Sequence, residues 1–185
     1  MKFEPEKHHR RSIRLKGYDY SQEGAYFVTV CTRNREIIFK DERYRKMVEK
    51  CWFDLPGHYP HVELDEFVVM PNHIHGIIVV NDKNVNSVCR GEVTSPGGGV
   101  GGETPPLQKR PGLGKIVGYY KYQTTKLINE SRGTPGEPVW QRNYYEHVIR
   151  SEEKLNKIRE YILANPLLWE TDPENPAVRA SAANG

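Results

Sequence analysis

The chain has 185 residues, which is enough for one domain but barely enough for two. Its net charge of +3 is too small to identify a partner, and no apolar run approaches the roughly 20 residues of a membrane helix. Charged residues follow Met1, so we expect no secretory signal. The three cysteines have no paired spacing and are typical of reduced thiols, not of a disulfide framework or a zinc site.

The first 17 residues predict a basic N-terminal arm. Residues 7–16 are rich in Lys and Arg and contain no acid, so this segment can hold phosphates. A solvated basic tail is the alternative that charge alone leaves open.

Three strands and one helix are predicted in the first half of the chain. A β-branched and aromatic run from Ala25 to Thr32 predicts a strand, and Asp41 is placed to cap a helix that ends near Leu55. The runs 62–70 and 73–80 predict an antiparallel hairpin with a short turn. Residues beyond the histidines of the second strand are apolar on both faces, which predicts a central strand covered on both sides.

The residues from 82 to 114 predict a flexible insertion, because they are rich in Gly and Pro and show no periodicity. A phosphate-binding loop is disfavoured, since no Gly-Lys-Ser/Thr sequence follows the glycines. A helix is predicted from Ile116 to Asn129, and a strand and turn between Val139 and Arg150.

A final helix is predicted from a Ser151 cap to Asn165, where Pro166 ends it. From Thr171 onward the composition predicts a disordered tail, 171–185.

His73 and His75 are candidate metal ligands. Side chains two apart on a strand point to the same face, so both imidazoles can reach one ion while Ile74 enters the core. Tyr161 and Asn165 are four residues apart on a helix and share a face. Taken singly, each pair has a structural alternative: a hydrogen-bonded core histidine, or a tyrosine at the edge of a packed helix.

Three blocks in order carry a resemblance to a known family. They are the strand and turn Phe67–Gly76 with Pro71-Asn72-His73-Ile74-His75, the segment Val139–Arg150, and Tyr161–Pro166. Together they resemble the REP-associated tyrosine transposases, within the HUH group of single-tyrosine transposases. The resemblance spans about residues 18–169 without the insertion.

The resemblance implies an α/β (α+β) fold of ferredoxin/RRM-like HUH nuclease type, an antiparallel central sheet with helices packed on it, as one domain over residues 18–170. It further implies a DNA transposase and endonuclease that cleaves and rejoins single-stranded DNA, at REP-type hairpins, through a 5′-phosphotyrosine intermediate. Tyr161 would be the nucleophile, and His73, His75 and Asn165 would hold Mg²⁺ or Mn²⁺. Other single-tyrosine relatives have Gln where this chain has Asn165.

Basic residues on the predicted arm, helix and strand are candidate DNA contacts: Arg10, Arg11, Arg14, Lys16, Lys121, Lys126, Arg142 and Arg150. Each could equally be an ordinary surface charge. We expect no nucleotide cofactor and no membrane contact, a monomer or homodimer, and a bacterial cytoplasmic location, associated with the nucleoid when bound to DNA.

Two rival hypotheses remain. One is a non-catalytic module that binds single-stranded nucleic acid. The other is a metal-dependent phosphodiesterase that uses water, with Tyr161 as a bystander.

Overall fold

The computed structural model of the chain describes residues 15, 17–81 and 110–183. The arm residues Arg10, Arg11, Arg14 and Lys16 and most of the predicted insertion therefore lie outside the described residues. The last two residues of the predicted insertion, 113 and 114, already belong to a helix.

Four antiparallel strands form the central sheet, as the family resemblance implies. They are β1 (Gly24–Cys31), β2 (Val62–Met70), β3 (His73–Val80) and β4 (Tyr145–Ile149), in the order β2-β3-β1-β4. The predicted hairpin β2–β3 and the central position of β3 are confirmed. The predicted strand region 139–150 is shorter than expected, and Trp140 forms only an isolated bridge with Thr32.

Five α-helices accompany the sheet in the described residues: α1 (Glu42–Phe53), α2 (Leu55–His58), α3 (Leu113–Arg132), α4 (Glu152–Ala164) and α5 (Pro176–Ala183). Short 3₁₀ helices cover Arg33–Arg35 and Asn165–Thr171. Both predicted caps are confirmed. Asp41 accepts a hydrogen bond from the backbone N–H of Arg43, and Ser151 accepts one from that of Lys154. None of these helices has the length and apolar composition that crossing a bilayer would require.

The larger core lies on the sheet face covered by α1 and α3. Ile74 and Ile78 point into it from β3, and Trp52 enters it from α1. A Cβ atom at Gly76 would overlap the indole ring of Trp52, so only glycine permits this close approach of α1 to the central strand.

The opposite face of the sheet is covered by α4. Ile162 packs with Phe27, Ile77 and Ile149, and Leu155 joins from the same helical stripe. Successive residues of β3 alternate between the two faces, so His73 and His75 lie on the α4 side while Ile74 lies in the larger core, as predicted.

The prediction of a disordered tail does not hold for residues 171–183. The chain leaves the 3₁₀ helix through a turn with buried Asp172 and Asn175 and then forms α5. Long-range contacts order this segment: the Asn72 amide donates to the carbonyl of Glu174, and the Arg35 guanidinium pairs with the Glu174 carboxylate.

Candidate active site

The two histidines of β3 bring their Nε2 atoms together. These atoms are 3.0 Å apart, and both side chains are buried. Two ligands at right angles on an ion with bonds of about 2.1 Å are separated by roughly 3 Å. The pair therefore already has the spacing that adjacent ligands of one cation need.

Asn72 fixes the tautomer of His73. Its Nδ2 donates to the carbonyls of Arg35 and Glu174, which settles the orientation of the amide. Its Oδ1, 2.8 Å from Nδ1 of His73, can then only accept, so Nδ1 carries the proton and Nε2 presents a lone pair. Such support of a ligating histidine by a hydrogen-bond partner is usual in metal sites.

Thr29 lies opposite His75 in the sheet, with its Oγ1 2.8 Å from Nδ1 of that ring. Its hydroxyl can accept a hydrogen bond from Nδ1–H, which leaves Nε2 of His75 free to ligate, or donate one to Nδ1 when Nε2 carries the proton. His75 can therefore change tautomer without losing its partner. Sequence reasoning missed both Thr29 and Asn72, because only the sheet register and the turn place them beside the rings.

Both rings are neutral at neutral pH. Burial lowers the pKa of His73, although the negative charges of Asp172 and Glu174 oppose that effect. Burial, with a smaller contribution from His73, lowers the pKa of His75 to about 3. Neutral imidazole is the form that binds metals, so no proton has to be displaced at neutral pH.

Tyr161 extends from α4 to the histidine pair. Its hydroxyl lies 3.3 Å from Nε2 of His75, and its ring packs edge-on against Phe27 and His75. Burial raises the pKa of Tyr161, the Asn165 amide opposes this by hydrogen bonding, and Asp172 and Glu174 raise it further. The hydroxyl is therefore protonated at neutral pH unless a cation is bound nearby. The side chain remains 45% exposed, which leaves room for a substrate.

Asn165 lies at the end of α4 with helical backbone angles, one turn beyond Tyr161. Its side chain is buried, and among the described residues Oδ1 has no hydrogen-bond partner. A buried amide oxygen without a partner calls for an explanation such as an ion. The structure thus places Tyr161 beside the two predicted histidine ligands, and it places the buried Asn165 one turn beyond Tyr161 on the same helix.

Asp172 joins this group, although sequence reasoning did not predict it. Ligand atoms of His73, His75 and Asp172 all lie within 4.8 Å of one another, and all three side chains are buried. Nothing in the local sequence indicated a ligand, because the composition of residues 172–176 is that of a linker: Asp172-Pro173-Glu174-Asn175-Pro176.

Three of the predicted DNA-contact residues line one groove. Lys121, Lys126 and Arg142 border a cavity of about 810 Å³ between α3 and residues 133–142. Lys121 donates to the carbonyls of Gln141 and Arg142, so its ammonium group is already engaged in hydrogen bonds within the protein. Arg150 is exposed after β4 and does not line this groove.

A smaller cavity of about 200 Å³ shares one lining residue with this groove. Gln141 lines both cavities, and Thr29, the partner of His75, lines the smaller one. The smaller cavity therefore lies close to His75, although neither histidine nor Tyr161 lines it.

Comparison with known proteins gives two sequence relatives, both from Haemophilus influenzae, while no family model matches the chain. An uncharacterised protein is 40% identical over 173 residues, which are 89% of this chain and 92% of that protein, so the two belong to one family. A putative REP-associated tyrosine transposase is 23% identical over 157 residues, 80% of this chain and 73% of the relative.

Among solved structures, a REP-associated tyrosine transposase bound to a REP hairpin has a similar fold. The TM-score is 0.56 at 20% sequence identity, and the match covers 83% of this chain and 73% of that chain. This comparison establishes the fold that the two proteins share.

Proposed function

We propose that this chain, which is similar in sequence and fold to REP-associated tyrosine transposases, cleaves and rejoins single-stranded DNA at REP-type hairpins through Tyr161. The observation that carries the proposal is the position of the phenol: its hydroxyl lies 3.3 Å from Nε2 of His75, where the two imidazoles converge. A nucleophile and a pair of metal ligands thus face the same small space.

The residues at this site suit a divalent cation, Mg²⁺ or Mn²⁺. His73 and His75 present nitrogens at the spacing of adjacent ligands, and Asn165 offers a buried oxygen that lacks a partner among the described residues. Such a cation, when bound, offsets the charge of the scissile phosphate and orients it for in-line attack.

In the proposed step the Tyr161 oxygen attacks the phosphorus, and the bond to the 3′-oxygen breaks. The products are a 5′-phosphotyrosyl link and a free 3′-hydroxyl, and overall one proton passes from the phenol to the 3′-oxygen. Solvent can carry this proton, since the side chain is 45% exposed. The link retains the energy of the phosphodiester, so a 3′-hydroxyl can reverse the step and join strands without ATP.

The hairpin is proposed to lie along the groove lined by Lys126 and Arg142. Exposed Tyr122 borders the same groove and offers a ring on which an unpaired base can stack. The smaller cavity, which shares Gln141 with the groove and is lined by Thr29, is the proposed path of a single strand toward the histidine pair. A chromosomal hairpin substrate would place the protein at the nucleoid.

The test is a covalent adduct. Incubation with a REP-type hairpin and Mn²⁺ should give a protein–DNA species that survives SDS. Tyr161→Phe should abolish it, because the ring contacts with Phe27 and His75 remain while the hydroxyl is lost. The matched control is Tyr44→Phe, which removes the hydroxyl of a partly buried ring on α1, on the opposite face of the sheet, and should leave the adduct intact.

The same experiment separates the two rival functions. Strand cleavage that persists in Tyr161→Phe would identify a phosphodiesterase that uses water. Hairpin binding without any cleavage in the unchanged protein would identify a non-catalytic module. The complete set of His73, His75, Tyr161 and Asn165 favours the transesterase over both.

A further inference from the structure

We infer that Asp172 is an anionic ligand of the metal proposed at His73 and His75, supplied by the C-terminal segment 171–175. This inference rests on the metal site of the proposed function and adds to it a residue from outside the three sequence blocks. The carboxylate oxygen Oδ2 lies 3.8 Å from Nε2 of His73, and both side chains are almost completely buried.

Several hydrogen-bond acceptor atoms lie close together beside His73, and few donors are available to them. Asn72 leaves Nε2 of His73 with a lone pair, and that lone pair faces both Nε2 of His75 and Oδ2 of Asp172. On α4, one turn beyond Tyr161, Asn165 Oδ1 is also buried without a hydrogen-bond partner among the described residues. A buried carboxylate beside a neutral imidazole lone pair is costly, whereas a cation between them would satisfy the Asp172 oxygen and the two imidazole nitrogens together.

The segment that carries Asp172 is held in place from several directions. Asp172 Oδ1 accepts from the backbone N–H of Glu174, which closes a tight turn. The Glu174 carboxylate pairs with Arg35, and Asn175 donates to the carbonyl of Trp169. These contacts fix the direction of the second carboxylate oxygen toward His73.

Asn72 contacts both His73 on β3 and the C-terminal segment that carries Asp172. Its Oδ1 orients His73 while its Nδ2 holds the Glu174 carbonyl, two residues from Asp172. One side chain thereby sets the position of a ligand from β3 relative to a ligand from the C-terminal segment.

A carboxylate changes the chemistry expected of the metal. Two imidazoles with an amide oxygen are neutral, and Asp172 adds one negative charge and a hard oxygen to them. Mixed nitrogen and carboxylate ligands suit Mn²⁺ and other first-row ions better than Mg²⁺, which prefers oxygen and retains its water. We therefore expect Mn²⁺ to bind more tightly than Mg²⁺.

Asp172→Asn is the discriminating variant, since its amide oxygen can still accept from the Glu174 N–H and keep the turn while the charge is lost. Mn²⁺ affinity is measured without DNA, by titration calorimetry and by the EPR signal of free Mn²⁺, and Tm is measured with and without the ion. Glu170→Gln, an exposed acid two residues before Asp172, is the matched control.

We expect Asp172→Asn to weaken Mn²⁺ binding at least about tenfold and to remove most of the Mn²⁺-induced rise in Tm. Its Tm without metal should equal or exceed that of the unchanged protein, because a buried negative charge has been removed. Glu170→Gln should match the unchanged protein throughout.

Unchanged Mn²⁺ affinity in Asp172→Asn would overturn the inference, and so would a loss of affinity accompanied by a lower Tm without metal, which would assign Asp172 a purely structural role. The transesterase proposal fails separately: a protein that binds Mn²⁺ through Asp172 and forms no DNA adduct would retain this inference and lose that function.

Discussion

Asn72 orients His73 and holds the C-terminal segment in place, so its removal should weaken metal binding although it is not itself a proposed ligand. We predict that Asn72→Ala weakens Mn²⁺ binding about 10- to 100-fold, the usual effect of losing a hydrogen-bond partner of a ligand. Calorimetric titration with Mn²⁺ measures this, and Asn143→Ala, an exposed asparagine outside the cluster, is the control. Equal affinities in the two variants would show that Asn72 does not orient the ligand.

The histidine and tyrosine positions could be predicted from sequence because they depend on local periodicity. A period of two places His73 and His75 on one face of a strand, and a spacing of four places Asn165 beside Tyr161 on a helix. The partners of these residues could not be predicted in the same way. Thr29 is 46 residues from His75 in the chain and meets it only through the register of β1 with β3.

The elements show the same contrast between local and long-range determinants. Helices α1 and α4 begin at capping residues and carry apolar stripes, so their starts were predictable from short segments. Residues 172–183 carry a cap, since Asn175 accepts a hydrogen bond from the backbone N–H of Ala177, but they have no stripe of large apolar residues. They are ordered by contacts of Glu174 with Asn72 and Arg35, which are 102 and 139 residues away, and composition holds no information on such contacts.

An ion pair joins α4, the helix that carries Tyr161, to strand β2 of the sheet. Arg159 on α4 makes two hydrogen bonds to Asp65 on β2, at 2.9 and 2.6 Å. Hydrogen bonding from Arg159 holds the pKa of Asp65 below its usual 3.8, although partial burial opposes this. The stabilisation is therefore present above about pH 4 and is lost as the pH falls through the lowered pKa of the folded protein.

We predict that Asp65→Asn lowers Tm by a few degrees at pH 7 and that the difference from the unchanged protein narrows as the pH falls below 3.8. Thermal unfolding at a series of pH values measures it. Glu63→Gln, an exposed acid on the same strand, should show no comparable difference. A difference for Asp65→Asn that is independent of pH would contradict the ion pair as its cause.

On the scale of the whole molecule, the net charge of +3 says little about DNA binding, and the distribution of charge says more. The basic residues predicted from sequence as DNA contacts are scattered along the chain, yet Lys126 and Arg142 meet at one groove. That convergence depends on the packing of α3 against residues 133–142, which no local pattern reveals.

We predict that Lys126→Glu combined with Arg142→Glu weakens binding of a REP-type hairpin and makes that binding less dependent on salt. The slope of log affinity against log salt concentration should become shallower by about 0.7 to 0.9 for each DNA phosphate that the variant no longer neutralises. Binding titrations at several salt concentrations measure both effects. Lys50→Glu, an exposed residue on α1, is the control, and Mn²⁺ affinity should be unchanged in all variants. An equally weakened Lys50→Glu would show that overall charge, and not this groove, determines affinity.

The central claim is that the phenol beside the histidine pair becomes covalently joined to DNA. Mass spectrometry of the proteolysed adduct, formed with a REP-type hairpin and Mn²⁺, tests it most directly. We predict a peptide that carries nucleotide on Tyr161 through a 5′-phosphate, together with a DNA fragment that ends in a 3′-hydroxyl. Nucleotide attached to another residue, or a link through a 3′-phosphate, would contradict the claim.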